Sequence, residues 1–180
     1  MTIPRGPKGV IVFGSARSDG NTGHVVSHLA RHTGFQVVDL NTLHIGYFDY
    51  EQTNTEDDFM PTIRKILEHD IVIFATPVYW YTMSAVLKTF FDRLSDLLKW
   101  HKEAGRQLRG KSMGLVSTSE KPGIADAFAY PFVQTAAYLG MDFLGHFHFK
   151  TTKGKLTEDV ITEMQAVANE MLAPVQDVQT

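Results

Sequence analysis

Cysteine is absent from the chain. That single absence removes disulfide frameworks, thiolate nucleophiles, thiolate zinc sites and thiolate-held iron–sulfur clusters together, so any redox chemistry has to come from a bound cofactor. An excess of charge of one sign is missing as well. Seventeen Lys and Arg against twenty Asp and Glu leave a formal net charge of −3, which gives no basic field for a nucleic-acid backbone or an anionic membrane, so neither is an expected partner. No apolar run approaches the roughly 20 residues of a membrane span. The four apolar residues after Gly9 are too few for a signal peptide's apolar region, and the expected compartment is the cytoplasm. Repeats, low-complexity tracts and internal linkers are also lacking. With 180 residues, 43% of them hydrophobic and 21% charged, residues 1–180 are expected to form a single domain that buries roughly 70% of its unfolded surface without a stabilising metal.

Short apolar runs alternate with longer segments of helical spacing. Strands are predicted at Gly9 to Phe13, Gln36 to Leu40, Ile71 to Ala75, Ser112 to Ser117 and Asp142 to Phe149, with helices between them and one after the last. This alternation calls for an α/β protein, because parallel strands need long crossovers that cover both faces of the sheet with helices. Five strands fit a three-layer α/β/α, doubly wound parallel sheet of flavodoxin-like order 2-1-3-4-5. The clearest helix follows the third strand, where Met83, Val86, Leu87, Phe90, Phe91, Leu94, Leu97 and Leu98 form one apolar stripe over four turns. Lys88 and Asp92 sit four apart on its opposite face, spaced for a surface ion pair. Leu43 to Asp58 is the longest irregular stretch, of a length more often functional than idle.

In such a sheet a ligand lies beyond the carboxyl ends of the strands, where the strand order reverses. After the first strand comes Gly14-Ser15-Ala16-Arg17-Ser18-Asp19-Gly20-Asn21-Thr22, with a helix beginning near Asn21. Small residues leaving backbone N–H groups open at a helix N-terminus suit a phosphate. The loop lacks both Gly-Lys-Ser/Thr and G-x-G-x-x-G, so ATP and the Rossmann mode of dinucleotide binding lose support. The third strand ends in Thr76 and Pro77, without the Asp of a phosphoacceptor. A terminal monophosphate bound without chemistry remains. The competing explanation is helix capping by Ser18, Asp19 or Asn21, with Arg17 a solvated charge; position favours the phosphate. After the third strand, Tyr79-Trp80-Tyr81 suit a flat ligand, an ordinary hydrophobic loop or a subunit interface. Ser117-Thr118-Ser119-Glu120-Lys121-Pro122-Gly123 is a polar turn that could serve the same pocket or merely end a strand.

His24, His28 and His32 recur every four residues, a spacing metals can use, but no carboxylate sits at a matching position and a polar helix face explains them better. His146 and His148 alternate with Phe147 and Phe149, reading as one polar and one apolar strand face. No G-x-S-x-G elbow supports a hydrolase. Neither a metal site nor a catalytic side chain is expected.

With these loops, the chain resembles the NAD(P)H-dependent FMN reductase and multimeric flavodoxin family. The likeness is carried by the first loop, by Thr76-Pro77-Val78-Tyr79-Trp80 with Met83-Ser84-Ala85, Leu87-Lys88 and Phe91-Asp92-Arg93-Leu94, and by Leu108-Arg109-Gly110-Lys111 and Leu139-Gly140-Met141. It implies non-covalent FMN, with the phosphate at Ser15, Arg17, Asn21 and Thr22. The ring would lie at Pro77, Val78, Tyr79 and Trp80, and its other edge at Ser117, Thr118, Ser119 and Gly123. Lys88, Asp92 and Arg93 would be structural or intersubunit. Relatives that carry a cysteine segment after the second strand differ here, where the chain reads Ile45 to Glu51. The implied activity is hydride uptake from NAD(P)H and ping-pong reduction of a small-molecule acceptor (flavin, quinone, nitro or azo compound), in a homodimer or homotetramer. An electron carrier of flavodoxin type and a flavin-binding sensory module are the alternatives; −3 gives a carrier little electrostatic steering.

Overall fold

The computed structural model describes residues 7–121, 123–124, 126–152 and 155–173; Pro122, in the polar turn after the fourth strand, lies outside them. Five parallel strands form one sheet in the order β2-β1-β3-β4-β5. The central strands β1 (Gly9–Phe13) and β3 (Ile71–Pro77) are buried at every position, as strands covered on both faces must be. β4 (Ser112–Ser119) is nearly so, whereas β2 (Gln36–Asp39) and β5 (Asp142–Lys150) lie at the edges and are more exposed.

The helices are α1 (Asn21–Thr33), α2 (Phe59–Leu67), α3 (Ala85–Arg93), α4 (Asp96–Lys99), α5 (Lys102–Arg106), α6 (Tyr130–Leu139) and α7 (Glu158–Leu172). Two apolar clusters separate cleanly by strand face. Val10, Val12 and Phe74 meet Phe59, Phe90 and Phe132 on one side. Ile11, Phe13 and Ile73 meet Val25, Leu29 and Met164 of α1 and α7 on the other. The alternation follows from the period-2 side-chain geometry of a strand.

Four strand ends differ from the sequence reading, β5 by a single residue, since it runs on to Lys150 opposite Ser119. β2 stops at Asp39, because the Asp39 carboxylate accepts from the Asn41 N–H at 3.0 Å and turns Leu40–Thr42 into a 3-10 helix. β3 and β4 each run two residues further, since the ladder continues through Thr76↔Ser117 and Pro77↔Thr118. The long apolar stripe after β3 is broken into α3 and α4. At Leu94, Ser95 and Leu97 the amides bond three residues back, tightening the chain where Arg93 and Asp96 turn inward and join at 2.8 Å. Lys88 and Asp92 do pair, at 2.6 Å on the exposed face.

Candidate functional site

The loop after β1 is held by close approach. A Cβ on Gly23, in the first turn of α1, would lie 1.9 Å from the Ser18 carbonyl oxygen, and one on Gly14 would strike Leu87 at 2.7 Å. Only glycine lets the loop fold back on the helix here. Gly20 is the N-cap of α1 and no side chain caps the helix; the first turn holds no acidic residue. Ser18 instead accepts from the Asn41 side chain at 3.3 Å, so the capping explanation of the loop falls away. The open helix end keeps its amides and positive partial charge for an anion.

Four strand ends, those of β1, β3, β4 and β5, converge on this point. The Gly14 N–H donates to the Ala75 carbonyl, Val78 to Thr118 and Thr151 to Ser119, each at 2.9 Å. The hydroxyls of Thr22 and Thr118 meet at 2.7 Å in a buried contact spanning 96 residues of chain. Together these elements enclose a cleft of about 200 Å³ lined by Ser15, Arg17, Gly20, Asn21, Thr22, Pro77, Val78, Tyr79, Thr118, Ser119, Glu120 and Thr151.

Nine of the twelve residues expected at the site therefore line one cleft: Ser15, Arg17, Asn21, Thr22, Pro77, Val78, Tyr79, Thr118 and Ser119. The structure does not bring the other three to it. Trp80 is 93% exposed beyond the rim. Ser117 is fully buried, its hydroxyl shared between His146 and His148. Gly123 is exposed, with φ 73° and open space where a Cβ would stand. Gly20, Glu120 and Thr151 are additions. Gly20 and Glu120 sit within loops already singled out. Thr151 follows the last strand in no motif, and only its place at the carboxyl edge of the sheet could have marked it.

Above the cleft the chain makes a tight turn. Tyr79 and Thr82 exchange both backbone hydrogen bonds, at 3.0 and 3.1 Å, and the residues between them, Trp80 (φ 48°) and Tyr81 (φ 65°), are both left-handed. Consecutive positive φ angles define a type I′ turn, a place for Asn-Gly, where two aromatic residues are strained by about 1–3 kcal/mol each. The rings stand in solvent.

The irregular stretch 43–58, none of whose residues lines the cleft, is tied down by one buried cation. Arg93 bonds Asp57, the Gly46 carbonyl at 3.1 Å and the Asn54 carbonyl at 3.2 Å, besides Asp96. Burial pulls the Asp57 carboxyl up, but hydrogen bonds from Arg93, Gly46 and Phe59 outweigh it and hold the group below its ordinary value. Lys99 lies over the Tyr50 ring at 4.2 Å, near Phe48 and Trp100. On α1, His28 and His32 stack at 4.5 Å, and among the described residues no three His, Asp or Glu are grouped to hold a metal. None of the described helices is long and apolar enough to cross a membrane.

The sequence profile of the NADPH-dependent FMN reductases matches residues 7–155. The chain belongs to that family. This FMN reductase is similar to YwqN of Bacillus subtilis, named as an NAD(P)H-dependent FMN-containing oxidoreductase, with 27% identity over 173 residues, 88% of this chain and 91% of YwqN. Among solved structures, the Trp repressor binding protein from Bacillus subtilis superposes with TM-score 0.70 at 23% identity, covering 94% of this chain and all of the other. An FMN-dependent NADH-azoreductase from Bacillus anthracis, solved with FMN, superposes with TM-score 0.66 at 10% identity, covering 92% and 100%. These two likenesses show the flavodoxin-like fold. The reductase is accordingly an oxidoreductase with FMN as cofactor and NAD(P)H as co-substrate. Its cleft fits such a group: an uncapped helix end, a guanidinium and a row of hydroxyls suit a phosphate and a polyol, and the buried Thr151 hydroxyl has no partner among the described residues, a state that costs about 1–3 kcal/mol until something bonds it.

Proposed function

We propose that the reductase binds one FMN per chain, non-covalently, with its phosphate at the open end of α1, and reduces a small-molecule acceptor by a ping-pong route. The observation that carries this reading is the single cleft in which an uncapped helix N-terminus meets Arg17 and the ends of β3 and β4. In this arrangement Ser15, Asn21 and Thr22 donate to the phosphate with Arg17 as counter-charge. Thr118, Ser119 and Thr151 face the polyol. Pro77, Val78 and Tyr79 offer backbone groups along the ring. FMN, when bound, supplies the two-electron chemistry between NAD(P)H and a flavin, quinone, nitro or azo acceptor. The protein's part is position: donor and acceptor atoms must come within roughly 3–3.5 Å. The strained aromatic turn stands above the cleft, where a flat co-substrate can stack on Trp80 and Tyr81. No side chain has to act as acid or base for hydride transfer itself.

The test is anaerobic absorbance. Purified protein should take up one FMN per chain in preference to FAD, NADH or NADPH should bleach it in a two-electron step, and an added quinone should restore the colour. Uptake of FAD alone, or FMN that neither nicotinamide reduces within minutes, would overturn the reading.

A further inference from the structure

His146 and His148 were read from sequence as one polar strand face, and the structure gives that face an organised content. The Ser117 hydroxyl sits between the two rings, 2.7 Å from His146 Nε2 and 2.8 Å from His148 Nδ1. On its far side His148 Nε2 faces the Ser119 hydroxyl at 3.1 Å and the Lys121 carbonyl at 3.3 Å. Ser119 in turn donates to the same carbonyl at 2.7 Å. Ser119 lines the cleft, so this chain of contacts runs from β5 into the turn that borders the ligand.

The donors and acceptors allow one arrangement when both rings are neutral. A carbonyl only accepts, and the Ser119 proton is already committed to it, so His148 Nε2 carries the hydrogen and Nδ1 is bare. The Ser117 proton then goes to His148 Nδ1, and Ser117 accepts from Nε2–H of His146. A proton added at His148 Nδ1 reverses the middle of the chain: His148 donates to Ser117, Ser117 donates to His146 Nε2, and the His146 hydrogen moves to Nδ1. A second proton is disfavoured, because Ser117 would then accept from both rings and its own O–H would lose the ring acceptor it has in either other state. Burial, and after it the nearby His148, push His146 down to about 4, against the pull of Asp126. His146 is also stacked on Phe128 at 5.4 Å. Asp126, from the 3-10 turn before α6, is the acidic group acting on His146; in sequence, Glu120 and Lys121 follow Ser119 in the turn after β4 and Lys150 stands two residues beyond His148 on β5.

We propose that His148 is a positioning residue for the flavin site, bracing the turn after β4 through Ser119 and the Lys121 carbonyl, and that the His146–Ser117–His148 chain holds a single proton whose uptake is coupled to binding of an anionic ligand in the cleft. This rests on the FMN reading of the cleft. The sign follows from charge: a phosphate-bearing ligand favours the protonated pair, so its binding takes up a proton and tightens as pH falls.

The experiment is fluorescence titration of the protein with FMN and with riboflavin between pH 6.5 and 8.5, for wild type, His148→Gln and His146→Phe. Imidazole nitrogen NMR on the wild type accompanies it. FMN affinity should rise about 3- to 10-fold from the top to the bottom of the range in wild type, with riboflavin flat. The His148→Gln variant should bind FMN more weakly with a flat profile. NMR should show both rings as Nε2–H tautomers at pH 8.5. An FMN profile unchanged by His148→Gln, or a His148 ring protonated at Nδ1 at pH 8.5, would overturn the proposal while leaving the FMN reading intact. Failure of wild type to bind FMN at any pH would instead overturn that reading, and this inference with it. Should His148→Gln not fold, the decision passes to His146→Phe, which keeps the brace and a ring on Phe128 but removes the acceptor for the Ser117 proton and should also flatten the profile; a slope equal to wild type would overturn the coupling.

Discussion

Arg17 and Arg93 carry the same charge and do opposite work. Arg17 is exposed at the mouth of the cleft, with solvent as its alternative partner. In the proposed arrangement a charge-assisted bond from it to the FMN phosphate would contribute roughly 1.5–3 kcal/mol. Arg17→Ala should therefore weaken FMN by that amount and leave riboflavin almost unchanged, measured by fluorescence titration; equal weakening of both would place Arg17 away from the phosphate. Arg93 is 4% exposed between Asp57 and Asp96. Removing it strands two buried carboxylates, so Arg93→Ala should lose about 3–5 kcal/mol in urea unfolding. Lys cannot replace the fork that reaches Asp57, Asp96 and two carbonyls at once. The pH dependence has a fixed sign. Asp57 is held low in the folded state, so its contribution is present above the ordinary carboxylate value of about 4 and fades as pH falls through the lowered one. The gap between wild type and Arg93→Ala should close in acid.

At the scale of elements, the turn from Tyr79 to Thr82 keeps two non-glycine residues in left-handed backbone. Tyr81→Gly should relieve the strain and raise thermal stability by about 1 kcal/mol. If the ring forms part of the shelf for a co-substrate, acceptor turnover should fall at the same time in steady-state assays; a variant both stabler and fully active would show the aromatic tip to be idle. The turn also marks what sequence could convey. Strand order, the open α1 N-terminus and nine cleft residues were legible, because apolar runs, glycine spacing and the switch-point rule act locally. The extension of β3 and β4 was not, since Thr76, Ser117 and Thr118 are polar and their pairing is decided by each other. The inward turn of Arg93 and Asp96 was equally hidden: their partner Asp57 lies 36 residues from Arg93, and a periodic stripe gives no sign of it. The family resemblance implied Ser117 at the ring edge, but strand alternation turns its hydroxyl the other way from Thr118, toward His146 and His148.

For the whole molecule, the exposed rings of Trp80, Tyr81 and Tyr138, with Leu98 at 42% exposure, are more apolar surface than a solitary subunit commonly shows. We expect a homodimer or homotetramer with FMN bound; light scattering that gives a 20 kDa particle across the micromolar range would contradict it. The cleft has a further consequence, kinetic in nature. Its walls come from chain positions 15 to 151, and the Thr22–Thr118 contact closes only after β4 has docked on β3. Parallel pairing of this kind is non-local and forms late. FMN held in this cleft, as proposed, would recognise only the finished sheet: it should slow unfolding in proportion to its occupancy and leave the refolding rate untouched, an asymmetry that stopped-flow denaturant jumps with and without the flavin would reveal as a shift of one chevron arm alone.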